Sequence, residues 1–169
     1  MKISENFTLN EFINSETAKK NPKKFPEQFN PPVNIIENLK YGAVNIAEPI
    51  RTKFGPFSPT VAYRSVALNT ALKGSSTSMH VSGEAFDETF IINGKNESAK
   101  VFFWLLENKD TIPFTELIWE KGDVNQPNWL HIGWKKQKTK EILVFNGKGY
   151  VDYFTTKFYT EHKKKGFVK

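Results

Sequence analysis

The sequence predicts an α+β fold in a single domain: a small antiparallel β-sheet with helices packed on one side of it. Three observations lead there. Ile36, Leu39, Ala43, Ile46 and Ile50 recur at alternating steps of three and four, the period of an amphipathic helix that backs a sheet. Short runs rich in apolar and β-branched residues follow it, as strands do. No repeat, linker or change of composition divides the 169 residues. A chain of that length buries about 70% of its unfolded surface in one core without covalent staples. It has no cysteine, which says little about the redox compartment.

Along the chain, Thr8 followed by Glu11 reads as a capping box that opens a short helix. A proline-rich stretch from Pro22 to Pro32 separates it from the amphipathic helix, in which Pro49 predicts a kink. Strands are expected from Thr60 to Tyr63, Glu84 to Ile92, Glu116 to Glu120 and Trp129 to Trp134. A helix over about Glu97 to Asn108 stands between the second and third of these. Asn146-Gly147, between Ile142-Leu143-Val144-Phe145 and Tyr150-Val151, predicts a hairpin turn. The motif core is thus about 60–135, and 140–169 is a C-terminal hairpin with a basic tail, all within one domain 1–169.

The net charge of +6 suits work on an anionic polymer. Lysines cluster only in short groups, at Lys19-Lys20, Lys23-Lys24, Lys135-Lys136 and Lys163 to Lys165, and none lies in a nucleic-acid motif, so nucleic acid is not the expected partner. The tail Lys163 to Lys169 is too short to argue for a membrane. No apolar run reaches the roughly 18 residues of a membrane span, and Met1-Lys2-Ile3-Ser4-Glu5-Asn6 leads into a polar helix rather than a signal peptide. Stable membrane insertion is not expected, and a monomer is.

The chemistry is concentrated in three residues. His80 and Asp87 share the segment Ser78-Met79-His80-Val81-Ser82-Gly83-Glu84-Ala85-Phe86-Asp87, and His131 lies in Trp129-Leu130-His131-Ile132-Gly133-Trp134. Two imidazoles and a carboxylate form a donor set that suits zinc, and three protein ligands leave a fourth position open. A closed structural zinc site usually includes thiolates, which this chain lacks. Histidine and aspartate are common residues, so spacing alone does not decide the matter; the flanking residues do.

The segment Ala62-Tyr63-Arg64-Ser65-Val66-Ala67-Leu68-Asn69, then Lys73-Gly74-Ser75-Ser76-Thr77-Ser78-Met79-His80, resembles the zinc D-Ala-D-Ala carboxypeptidase family. That family includes the L-Ala-D-Glu peptidases used as bacteriophage endolysins, and its fold is shared with the hedgehog signalling domain. The resemblance extends to Asn6-Phe7-Thr8-Leu9-Asn10-Glu11-Phe12, Ser15 and Ala18, and to Pro49-Ile50-Arg51 with Gly55. Ala62, Lys73 and Met79 depart from the usual glycine, glycine and glutamine, and none is a proposed ligand.

The resemblance implies one zinc ion on His80, Asp87 and His131 and hydrolysis of an amide in the peptidoglycan stem peptide. Some relatives place the catalytic glutamate three residues before the last histidine, where this chain has Asn128; others place it at the end of the preceding strand, which points to Glu120, with Asp123 its nearest competitor. Alternation along a strand puts Glu116, Ile118 and Glu120 on one face and Trp129 with His131 on one face of the next, so pairing of the two strands turns Glu120 toward the metal. Arg64, one of only two arginines, is expected to hold a carboxylate or a developing oxyanion, and Ser78 to hydrogen-bond at the site. His162 reads as a surface residue, and Tyr150, Tyr153, Phe154, Phe158 and Tyr159 as packing rather than a sugar platform.

The function expected is a peptidoglycan peptidase of L-Ala-D-Glu endopeptidase or D-Ala-D-Ala carboxypeptidase type. The absence of a signal peptide favours a phage endolysin held in the host cytoplasm until it reaches the wall. The alternative is a hedgehog-like or virion-associated module that keeps zinc for binding or stability without hydrolysis.

Overall fold

The computed structural model describes residues 1–135 and 139–168; Lys136 of the Lys135-Lys136 pair and the final Lys169 lie outside the described residues. Helices are α1 (Leu9–Phe12), α2 (Glu16–Lys20), α3 (Val33–Gly42), α4 (Glu48–Phe54), α5 (Val66–Ala71), α6 (Ser98–Glu107) and α7 (Lys157–Lys164). Strands are β1 (Ala85–Glu88), β2 (Ile91–Ile92), β3 (Lys95–Asn96), β4 (Glu116–Glu120), β5 (Trp129–Gly133), β6 (Glu141–Phe145) and β7 (Tyr150–Asp152). Short 3₁₀ turns occupy Pro26–Gln28 and Tyr153–Thr155. None of the described helices is long and apolar enough to cross a membrane.

The expected α+β architecture is present. Five strands form one sheet in the order β1-β5-β4-β6-β7, while β2 and β3 form a separate two-stranded hairpin. The sheet is not wholly antiparallel, because β4 and β6 pair in parallel. Alternation then sorts its faces. Phe86, Leu117, Trp119, Leu130, Ile132, Ile142 and Val144 point into the core, and the opposite face carries the polar residues of the site.

The amphipathic helix is built as α3, a π-turn at Ala43–Ala47, and α4. Pro49 has no N–H to offer the carbonyl one turn back, and the chain accommodates this with a wider turn just before it, in which the Glu48 N–H donates to the Ala43 carbonyl. The irregularity expected at Pro49 therefore appears N-terminal to it. Leu39, Ala43, Ile46 and Ile50 are buried as the periodicity predicts, but Ile35 rather than Ile36 completes the stripe at its start. Gly42 lies against the Trp134 ring, so the helix and the end of β5 approach as closely as a residue without Cβ allows.

At the N-terminus, the Glu11 carboxylate accepts from both the Thr8 N–H and its hydroxyl, at 2.8 Å each. Gln28, inside the proline-rich stretch, is fully buried; its amide donates to the carbonyls of Ile13 and Tyr63 and accepts from the Ser65 N–H. This one side chain joins the N-terminal helices to the segment that carries Arg64.

Two expected strands are corrected. Thr60 to Tyr63 contributes only an isolated bridge between Val61 and Asp87. Glu84 to Ile92 is not continuous, because the Phe90 N–H turns to the Ser98 hydroxyl and the chain enters the β2–β3 hairpin. Asn93 and Gly94, both left-handed, make the turn of that hairpin. The Asn146-Gly147 hairpin forms as expected, with Phe145 paired to Tyr150.

Candidate metal centre

His80 sits in a run of turns between α5 and β1. Gly83 allows that run to lie on α3: its φ is +66°, and a Cβ there would meet the Ile35 side chain at 2.9 Å. The His80 ring is nearly fully buried, and its Nδ1 lies 2.7 Å from the Ala62 carbonyl oxygen. A carbonyl only accepts, so Nδ1 carries the hydrogen and Nε2 presents its lone pair.

Asp87 and His131 are directly paired across β1 and β5. Asp87 Oδ2 lies 3.3 Å from His80 Nε2, and its Oδ1 lies 2.8 Å from His131 Nδ1. The other ring nitrogen, His131 Nε2, lies 3.3 Å from Glu116 Oε1. One donor atom from each of His80, Asp87 and His131 falls within 4.8 Å of the others. Ligands about 2.0 to 2.1 Å from a tetrahedral zinc stand roughly 3.3 Å apart, so the donor types and the two separations from Asp87 suit an ion of that kind. The outward nitrogen of each ring is held by an oxygen, which sets the tautomer a metal needs.

The charges fit as well. Burial opposes ionisation of Asp87, but His80 and His131 outweigh it and hold the carboxyl well below its ordinary range. Burial pushes His80 down, with Asp87 opposing. Burial also disfavours charge on His131, yet hydrogen bonds and charges from Asp87 and Glu116 lift it to about 9 in the metal-free site. A proton there occupies the place a cation would take.

These groups line a cavity of about 890 Å³. Glu120 lines it too, placed on β4 opposite Trp129 and one pair along from Ile118 opposite His131. Its carboxylate is buried and raised above its ordinary value by that burial, against a hydrogen bond from the Tyr150 hydroxyl at 3.1 Å. Asp123, its competitor, is occupied elsewhere: Oδ1 accepts from the N–H groups of Asn125 and Gln126. Asn128 closes the same loop, its N–H donating to the Glu120 carbonyl and its carbonyl accepting from the Thr89 hydroxyl. Arg64 and Ser78 both line the cavity. Arg64 Nε is buried without a hydrogen-bond partner among the described residues, and burial pushes the guanidinium down while Asp87 opposes.

His162 is not a surface residue. It is fully buried among Trp119, Phe103 and Tyr153, with Nδ1 3.0 Å from the Tyr153 hydroxyl and Nε2 against the Val124 carbonyl. The basic tail is partly docked as well, since Lys165 donates to Asn125 Oδ1 at 2.6 Å. Tyr153, Phe158 and Tyr159 pack against the core as expected, whereas Tyr150 faces the cavity and Phe154 is exposed.

Sequence reasoning missed Glu116 and Tyr150 at the site. Glu116 was recoverable from alternation, since it shares a strand face with Glu120. Tyr150 was not, because nothing local reveals that β6 and β7 continue the sheet beyond β4.

A cluster of two imidazoles and a carboxylate, open to a cavity on one side, is a donor set that could hold a metal ion and has the composition of an open rather than a closed structural site. Residues 5–132 match the Peptidase M15 model, and the chain belongs to that metallopeptidase family. Among curated proteins, none matches the chain.

Proposed function

We propose that the protein is a zinc-dependent peptidoglycan peptidase that hydrolyses an amide bond of the cell-wall stem peptide, of L-Ala-D-Glu endopeptidase or D-Ala-D-Ala carboxypeptidase type, and serves as a phage endolysin. The observation that carries this reading is the convergence of His80, Asp87 and His131 on the cavity that Glu120 also lines. His80, Asp87 and His131 would hold zinc, which would supply Lewis-acid polarisation of the scissile carbonyl and activation of water. Glu120 would act as general base and then acid, taking a proton from the attacking water and passing it to the leaving amine; burial raises its carboxyl above the ordinary carboxylate value. Tyr150 orients the carboxylate by donating to Oε1. Arg64, with an unused donor, binds substrate carboxylate or the developing oxyanion.

The test is mass spectrometry of soluble products from purified sacculi, with and without a zinc chelator and with Glu120→Gln in parallel. New peptide termini that disappear in both controls establish the activity and name the bond. Zinc bound at one per chain with no new termini returns the protein to the binding-module alternative.

A further inference from the structure

Among the described residues, three that are not glycine have a left-handed backbone: Lys73 (φ 57°), Asn93 (φ 51°) and Lys121 (φ 53°). Asn93 is explained by its hairpin turn, where a short polar side chain suits that conformation. Lysine has no such compensation, and glycine would avoid the strain at either place. Both strained lysines line the metal cavity.

They reach it from different parts of the fold. Lys73 follows α5, in a loop pinned by Gly74 N–H to the Asn69 carbonyl and by Asn69 Nδ2 to the Ser75 carbonyl. Lys121 directly follows Glu120 at the end of β4, and its ammonium lies 5.2 Å from the centre of the Trp129 ring, which holds it over the partner strand. Neither lysine forms an ion pair with a described residue. The carboxylates of the same cavity are already engaged: Asp87 with both histidines, Glu116 with His131, and Glu120 with Tyr150. With Arg64, the cavity presents three cationic side chains that form no ion pair with a described residue, beside the carboxylates of Asp87, Glu116 and Glu120; Asp87 acts on Arg64, and Lys121 on Glu120, only through space. A cation in a cleft that is not committed to an ion pair can bind and orient an anion there.

We propose that Lys73 and Lys121 bind substrate carboxylates in the metal cavity and so select acidic peptides, a specificity role that rests on the peptidase reading above. Lys121 neighbours the proposed base, so it serves a carboxylate close to the scissile bond; Lys73, on the loop after α5, serves a second one further along the peptide. Neither is a catalytic residue, because neither touches the reacting atoms.

Glycine is the informative substitution, since it removes the charge and relieves the backbone, and unchanged or higher melting temperatures for Lys73→Gly and Lys121→Gly will confirm intact folds. Equilibrium binding of a soluble stem tetrapeptide with free carboxylates, and of its carboxamide form, is measured by calorimetry in the zinc-loaded Glu120→Gln protein, where ligand is not consumed. The acidic peptide is expected to bind more tightly, with each lysine change weakening it about fivefold and leaving the carboxamide form unaffected. Loss of the acid preference in the double variant, and of its salt sensitivity, completes the expected result. Equal weakening of both peptides, or no weakening of either, overturns the proposal. Selective binding without cleavage by the unaltered protein overturns the peptidase reading alone, and no binding of either peptide overturns both.

Discussion

Glu116 Oε1 lies 3.3 Å from His131 Nε2, while Asp87 holds Nδ1 of the same ring at 2.8 Å. The imidazole is therefore fixed at both edges. Removing Glu116 frees the ring to rotate and to change tautomer, and partners of this kind are worth about 10- to 100-fold in metal affinity. Glu116→Ala is expected to weaken zinc binding by that factor, and Glu116→Gln, which keeps an acceptor, by much less. Competition with a chromophoric chelator measures both, and equal affinities for the two variants would refute the orienting role.

Zinc binding should release a proton. His131 is lifted to about 9 in the metal-free site, so near neutral pH the ion must displace a proton from it. Affinity should rise by up to tenfold per pH unit until about 9. Calorimetry in two buffers of different ionisation heat reads the proton count directly. The same shift sets a stability trend for the chelated protein. The folded value lies above the unfolded one of about 6.5, so this stabilisation is complete below that pH and is lost as pH rises through about 9. Chemical denaturation across that range, with chelator, checks the sign.

Tyr150→Phe removes the hydroxyl that donates to Glu120. That hydrogen bond opposes the upward effect of burial, so its loss raises the Glu120 pKa further. The acid limb of kcat/KM against pH should move to higher pH while zinc content stays the same. An unmoved limb with lower activity would mean that Tyr150 acts on substrate instead.

Gln28→Leu leaves three buried backbone groups, at Ile13, Tyr63 and Ser65, without their partner. Unsatisfied buried groups cost about 1 to 3 kcal/mol each, partly relieved by local adjustment, so a loss of roughly 3 kcal/mol or more is expected in urea denaturation. The damage should spread to the neighbouring Arg64 and appear as a raised KM at temperatures where the variant is still folded.

The donor set was legible without the fold. Ligand chemistry needs particular side chains, and the flanks of His80, Asp87 and His131 carry a local pattern that survives in the linear chain. The capping box at Thr8 and Glu11, the strands Glu116–Glu120 and Trp129–Gly133, and the helix Ser98–Glu107 were equally readable, because each is specified by neighbours a few residues apart.

Other assignments depended on partners remote in sequence. Tyr153 and Val124 make His162 a core residue, since Nε2 donates to the Val124 carbonyl and Nδ1 accepts from the Tyr153 hydroxyl, although its flanking lysines suggest a solvated helix end. The bridge of Val61 to Asp87 left Thr60 to Tyr63 as a connector whose Ala62 carbonyl holds His80. The sequence by itself determined which residues are the candidates for metal and acid–base chemistry and which local segments carry them. Only the tertiary structure decided that Glu116 braces His131, that Tyr150 reaches Glu120 and that two strained lysines share their cavity. The first two come from strand register and from the parallel β4–β6 pairing, whose partner residues lie 25 positions apart along the chain and leave no periodic trace in it, and the third also needs the loop after α5 to close over the sheet.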